Sequence, residues 1–192
     1  MVKRMARDLG LKLWEVPVGF KYIVERMLKT DVLIGGEETG GIGIRGYLPE
    51  RDGILNGLFT LEAMAVSGRA LGDMVRELER RYGRWHNDLQ NFHLAPAQVD
   101  RLFATLPRWR PARVAGLRVA SFNRMDGYKV ILKDDSWLLF RRSGTEPIVR
   151  VYAETPRRSR LPELMRTGIK LAQKSYLMVT TLPISIFLRV KI

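Results

Sequence analysis

Four strand-like runs, "LRVASFN", "YKVILKD", "SWLLFRR" and "IVRVYAE", crowd into residues 117–154 with no helical stretch between them. Their apolar residues alternate or run continuously, as half-buried and buried strands require. "MDG", Met125 to Gly127, reads as a tight hairpin turn between the first two. A run with helical periodicity, "RLPELMRTGIKLAQK", closes the set. Residues 107–174 are therefore expected to form an antiparallel sheet with helices on one face.

The preceding part reads differently. "MVKRMARDLG" carries an apolar stripe of Val2, Met5, Ala6 and Leu9 and ends on Gly10, a helix terminus. "LKLWEVPVG" predicts a short strand broken by Pro17, followed by a helical "FKYIVERMLK". "DVLIGG" predicts a buried strand that opens into a glycine loop. Asp52 is placed to cap a helix from Gly53 to about Val66, with Ile54, Leu55, Leu58, Leu61 and Met64 on one face. "LGDMVRELERRYG" repeats that pattern through Leu71, Met74, Val75 and Leu78. Residues 1–82 thus predict part of an α/β domain, and the fold class is mixed α+β and α/β. Residues 83–106, where the pattern weakens around Trp85, His86 and His93, are expected to be a linker or hinge ending in a short helix. The two histidines read as surface or hinge residues rather than general bases. Residues 175–192, "SYLMVTTLPISIFLRVKI", form an atypical apolar tail. Its β-branched residues suit either an added strand or, the favoured reading, a foreign tail from a shifted reading frame.

The absence of cysteine excludes disulfides, a thiol nucleophile and thiolate metal sites, and fits a reducing, cytoplasmic setting. No signal-peptide core precedes the first helix, and no run of about eighteen apolar residues suggests a membrane span. The net charge of +13 admits two classes of partner: nucleic acid or another polyanion, and small anionic substrates. Lys and Arg are dispersed through every segment, without a basic block or an RNA-recognition signature, which weighs against nucleic acid. A non-catalytic basic module binding a polyanion stays as the alternative.

Two constellations carry chemistry. In "FRRSGTEP", residues 140–147, Arg141 offers a planar fork to phosphate oxygens, and Ser143 and Thr145 offer hydroxyls. Gly144 is expected to free the backbone so that its N–H groups face a shared concavity. The loop joins two strands and lacks the lysine and following helix of a Walker loop. A polar hairpin with two surface arginines remains open as a plainer reading. In "GGEETGGIG", residues 35–43, Glu37 and Thr39 stand two apart in a turn. A carboxylate there could accept from vicinal sugar hydroxyls. A plain turn or a hard-cation site are the other readings.

The segments "VPVGFKYI", "GGEETGG", "PERDGILNGLFTLEAMA" and "LLFRRSGTEPIVRVYAE", in that order, resemble the phosphoglucomutase/phosphomannomutase (phosphohexomutase) family. The resemblance implies a C-terminal portion of a four-domain enzyme, from partway through its third domain to its fourth. Such enzymes interconvert hexose 1- and 6-phosphates through a bisphosphorylated sugar, glucose 1,6-bisphosphate for glucose, with a phosphoserine and Mg2+. It further implies that Glu37 and Thr39, a threonine where serine is usual, bind sugar hydroxyls. Lys21, in "VGFK", would hold the anionic end of the substrate, with Val18 replacing a frequent threonine. Arg141, Ser143, Gly144 and Thr145 match the phosphate-binding loop. Gly41 and Phe20 match positions that vary among subgroups and point toward glucose rather than mannose phosphate.

The family's Ser-His loop and its Asp-Gly-Asp metal loop do not occur in this sequence. Without serine no phosphoryl-enzyme forms, and without Mg2+ little offsets the charge in transfer. The chain alone is therefore expected to be inactive, with no catalytic or metal-binding residue of its own. Its expected partners are a hexose phosphate and the absent N-terminal domains or half-protein.

Overall fold

The computed structural model describes residues 1–144, 146 and 148–177, the last four of these by backbone alone. The chain divides into two compact units, Met1–Arg84 and Trp85 onward.

The first unit contains α1 (Val2–Asp8), α2 (Phe20–Lys29), β1 (Ile34–Gly36), β2 (Ile42–Ile44), α3 (Gly53–Ser67) and α4 (Leu71–Tyr82). Asp52 starts α3, its Oδ1 accepting from the N–H groups of Ile54 and Leu55 at 2.9 and 3.0 Å. Gly68 ends it in a left-handed conformation. β1 and β2 form an antiparallel hairpin in which Gly35 faces Gly43. A Cβ on Gly35 would strike Ile23, and one on Gly43 would come within 3.2 Å of Met27 Sδ and Phe20 Cζ. The glycines therefore admit α2 onto this face of the hairpin.

Two expectations fail here. "DVLIGG" is not buried: Ile34 lies on the opposite face from Gly35 and is 58% exposed. "LKLWEVPVG" forms no strand, since Pro17 lacks an N–H and the segment pairs with no other strand. Trp14 instead lies between Lys12 and Arg26, whose cations stand 4.9 and 5.7 Å from its ring centroid.

The second unit holds β3 (His86–His93), α5 (Pro96–Thr105), β4 (Arg113–Val114), β5 (Leu117–Asn123), β6 (Tyr128–Leu132), β7 (Trp137–Arg142), β8 (Ile148–Thr155) and α6 (Leu161–Leu177). The strands make one sheet in the order β3-β8-β7-β6-β5-β4, and every neighbouring pair is antiparallel. Alternation along β6, β7 and β8 turns Val130, Leu132, Leu138, Phe140, Val149, Val151 and Ala153 to one face. There they meet Val99 and Leu102 of α5 and Leu164, Met165 and Ala172 of α6 in a single core.

Residues 83–106 are not a free linker. β3 pairs with β8 from His86↔Thr155 to His93↔Ile148, and α5 buries Val99 and Leu102. The strand was hidden because its side chains are mostly polar and exposed; backbone hydrogen bonds at a sheet edge demand no apolar alternation. Of the tail expected at 175–192, residues 175–177 continue α6, and 178–192 lie outside the described residues. Among the described residues no helix is long and apolar enough to cross a membrane.

Candidate functional site

β7 and β8 run antiparallel into the "RRSGTEP" connection, which closes when the Ser143 N–H donates to the Ile148 carbonyl at 2.9 Å. The register sets Arg141 opposite Arg150, so two guanidinium side chains share the sheet face away from the core. Arg141 is 15% exposed, and its Nε donates to Asp126 Oδ2 at 2.8 Å. Arg150 Nε is buried and has no hydrogen-bond partner among the described residues. A buried donor left unpaired costs free energy that an incoming anion would recover. Ser143 is buried, and the Gly144 N–H donates to nothing among the described residues. Thr145 and Pro147 lie outside the described residues.

Two details refine the loop. Gly144 does not adopt a left-handed conformation, and a Cβ there would meet nothing within 4 Å. The expectation that the loop draws on glycine's freedom at 144 is therefore not met; what Gly144 offers is an open N–H. Arg142, one residue on, projects to the core face, where its Nη2 donates to Asp100 Oδ1 at 2.7 Å and its guanidinium covers Phe103. Tyr128 lies on that face too, its hydroxyl donating to the Trp109 carbonyl at 2.7 Å. Burial raises the Tyr128 phenol above its ordinary value against the opposing pull of Arg110 and Arg124.

In the first unit the turn between β1 and β2 is held by Glu37 N–H donating to the Gly41 carbonyl at 2.9 Å, and Gly40 N–H donating to the Glu37 carbonyl at 3.0 Å. Glu37 is largely buried at its side chain, and Oε2 accepts from Arg51 Nη1 at 3.0 Å. Its other oxygen, Oε1, has no partner among the described residues and remains available to a hydroxyl. Thr39 is exposed at the tip. Lys21 sits in the first turn of α2, exposed, with Nζ 5.0 Å from the Tyr22 ring centroid. Phe20 links the two segments: it packs beneath the hairpin, and the Arg51 guanidinium lies 5.4 Å above its ring. Gly41 lies next to the same arginine, where a Cβ would stand 3.0 Å from Arg51 Cδ and 3.5 Å from Glu37 Oε2. Glu37, Thr39 and Lys21 thus belong to one unit, and Arg141, Ser143 and Gly144 to the other.

Two residues of these sites escaped the sequence reading. Arg51 stands in "PERDG", fourteen residues from the carboxylate it pairs with, and only tertiary structure joins them. Arg150 stands in a run legible only as strand, but counting back through the connection places it across from Arg141. That count was the available signal. His86 and His93 lie in β3, and no carboxylate or hydroxyl pairs with either among the described residues. Nor do the described residues bring together three or more His, Asp or Glu side chains able to hold a metal ion.

Comparison with known proteins gives concordant results. The family description "Phosphoglucomutase/phosphomannomutase, alpha/beta/alpha domain III" matches residues 1–82, and that of the C-terminal domain matches residues 93–167. A phosphoglucomutase/phosphomannomutase of Thermococcus kodakarensis is 29% identical over 171 residues, covering 89% of this chain and 35% of that protein. A phosphoglucosamine mutase of Cereibacter sphaeroides is 35% identical over 153 residues, 80% of this chain and 30% of that protein. The crystal structure of a putative phosphomannomutase from Thermus thermophilus superposes with a TM-score of 0.69 at 34% identity, covering 90% of this chain and 34% of that one. The chain thus spans about a third of the length of the curated relatives it matches. From its glycine hairpin to its arginine-bearing strand connection, it belongs to the phosphoglucomutase/phosphomannomutase family, matching domain III and the C-terminal domain.

Proposed function

We propose that this chain recognises a phosphohexose and serves the holding half of a mutase that moves phosphate between the 1- and 6-positions of a hexose. One observation carries the reading: Arg141 and Arg150 stand side by side and, among the described residues, only the first is tied to a carboxylate and the buried Nε–H of Arg150 has no partner. Two cations against one anion leave a site that a phosphate ester neutralises. Ser143 and the open Gly144 N–H complete the donor set, with Thr145 next along the loop. Glu37 Oε1 and Thr39 take sugar hydroxyls, and Lys21 supplies a mobile cation for the substrate's charged end. The chain contributes binding, and turnover needs a nucleophilic serine loop and a metal loop that its 192 residues do not include.

The test is an NMR titration of the Gly144 amide with glucose 1-phosphate. Arg141→Ala and Arg150→Ala should each weaken binding by about 1.5–3 kcal/mol, roughly ten- to hundred-fold. Arg141→Lys should recover part of this, because an ammonium cannot reproduce a two-point fork. Arg142→Ala should change little. Equal losses at 141 and 142 would reduce the site to a general positive surface. The purified chain, supplied with glucose 1-phosphate and Mg2+, should show no turnover above a Ser143→Ala control.

A further inference from the structure

We infer that Asp126 is a positioning residue for phosphate, acting through Arg141 rather than touching the ligand. The inference rests on the phosphate reading of the loop given above.

Among the described residues Arg141 is the one of the paired arginines with a carboxylate on it, and the contact is specific: Nε donates to Oδ2 at 2.8 Å. Occupying Nε turns the remaining end of the guanidinium, Nη1 and Nη2, into the free fork. The geometry of the carboxylate is itself fixed by backbone. Gly127 has φ +101°, and a Cβ on it would strike the Phe140 carbonyl, so the turn is pressed against the strand just before Arg141. At the other side of the turn the Met125 N–H donates to Asn123 Oδ1 at 2.7 Å. A short side chain on a pinned turn leaves Asp126 little freedom, and Arg141 inherits that restriction. Packing adds to it, since the Arg141 side chain is mostly buried.

Charge alone predicts the opposite consequence. Asp126 is an anion beside a site for an anion, and removing it should tighten binding if it acts only as a counter-charge. Positioning predicts weaker binding, because an unfixed guanidinium must be ordered by the ligand. The two accounts differ in sign.

Four variants of the full chain separate them, read by Gly144 amide titration with glucose 1-phosphate and by the Arg141 Nε–H resonance. Asp126→Ala should weaken binding roughly ten-fold despite the more positive site. Asp126→Asn keeps an acceptor in place and should stay within about three-fold of the parent, with the Nε–H signal retained. Asp126→Glu keeps the charge but displaces it, and should fall with the alanine variant. Gly127→Ala, which lifts the turn from the strand, should also lose the Nε–H signal. Glutamate behaving as the parent, or alanine binding as tightly as the parent or more so, would overturn the inference. Should the alanine variant fail to fold, the contrast between asparagine and glutamate still decides. If the parent itself shifts no Gly144 amide, the phosphate reading fails instead, and the Nε–H resonance reports separately whether Asp126 holds Arg141.

Discussion

Among the described residues, the unit from Met1 to Arg84 buries the apolar side chains Phe20, Ile23 and Tyr82, whereas sixteen buried residues of the second unit join one cluster. The contrast is sharpest between α3 and β7. Both carry regular apolar patterns, yet α3 buries no residue, with Ile54 81% and Val66 84% exposed, while Leu138 and Phe140 are wholly buried. Forming a helix and burying it are separate events. α3 has its start and stop signals within its own sequence, Asp52 and Gly68, and needs no partner to acquire its bounds. The first unit also has exposed ion pairs, such as Arg81 on Asp8, which contribute modestly.

Truncating the core should show the difference most strongly. Phe140→Ala should destabilise the second unit by about 3–5 kcal/mol in urea, with a cavity where six-stranded sheet and helices meet. A smaller but more diagnostic pair uses two helical glycines. Gly168 in α6 faces Val151 and Leu138, and a Cβ there would stand 2.5 Å from Val151 Cγ1 and 3.0 Å from Leu138 Cδ1. Gly168→Ala should cost about 1–3 kcal/mol, against the helix preference of alanine. Gly57 in α3 has nothing within 4 Å of its Cβ position, and Gly57→Ala should stabilise by up to about 1 kcal/mol. The same sign at both sites would erase the contrast.

Acid should probe the first unit selectively. Asp8, Glu25 and Asp52 are all held below the usual carboxylate range: Asp8 chiefly by the Tyr82 hydroxyl and Arg81, Glu25 by Lys29, Asp52 by the N–H of Leu55. A depressed carboxyl stabilises above its unfolded pKa, near 4, and that contribution is lost as pH falls through the folded value. Amide signals of Leu55 should therefore broaden or shift below about pH 4 before those of Val130. At the alkaline end the sign reverses. The Tyr82 and Tyr128 phenols are raised, chiefly by burial, so their contributions hold below about pH 10 and disappear as pH climbs through the folded values. Tyr128→Phe should flatten that limb for the second unit alone. The smallest effect belongs to α3, where Leu58→Ala should stay within about 0.5 kcal/mol. A larger loss would reveal a partner for that face.

Local signals were legible and distant ones were not. Asp52, the "MDG" turn and the strand runs from 117 to 154 each announce themselves within a few residues, and the structure contains them where the sequence placed them. β3 did not announce itself, because a polar strand is specified by its neighbour β8 and not by its own pattern. The sequence singled out Arg141 and Ser143 in the candidate loop; Arg150 is reached by counting across the connection, whereas Asp126 enters only when turn packing is known. In the glycine hairpin the sequence suggested a site, and the structure gives a packing reason for Gly35 and Gly43.

β3 has one further consequence. Its inner side is zipped to β8, and among the described residues its outer side pairs with no strand. An open edge of this length is a template on which other chains can add, the first step toward insoluble aggregates. Asn87, Asp88, Gln90 and Asn91 all stand exposed along it, and the opposite edge, β4, is two residues long and carries Arg113. The polar dress that concealed the strand in the sequence makes both borders of the sheet poor seeds for uncontrolled growth.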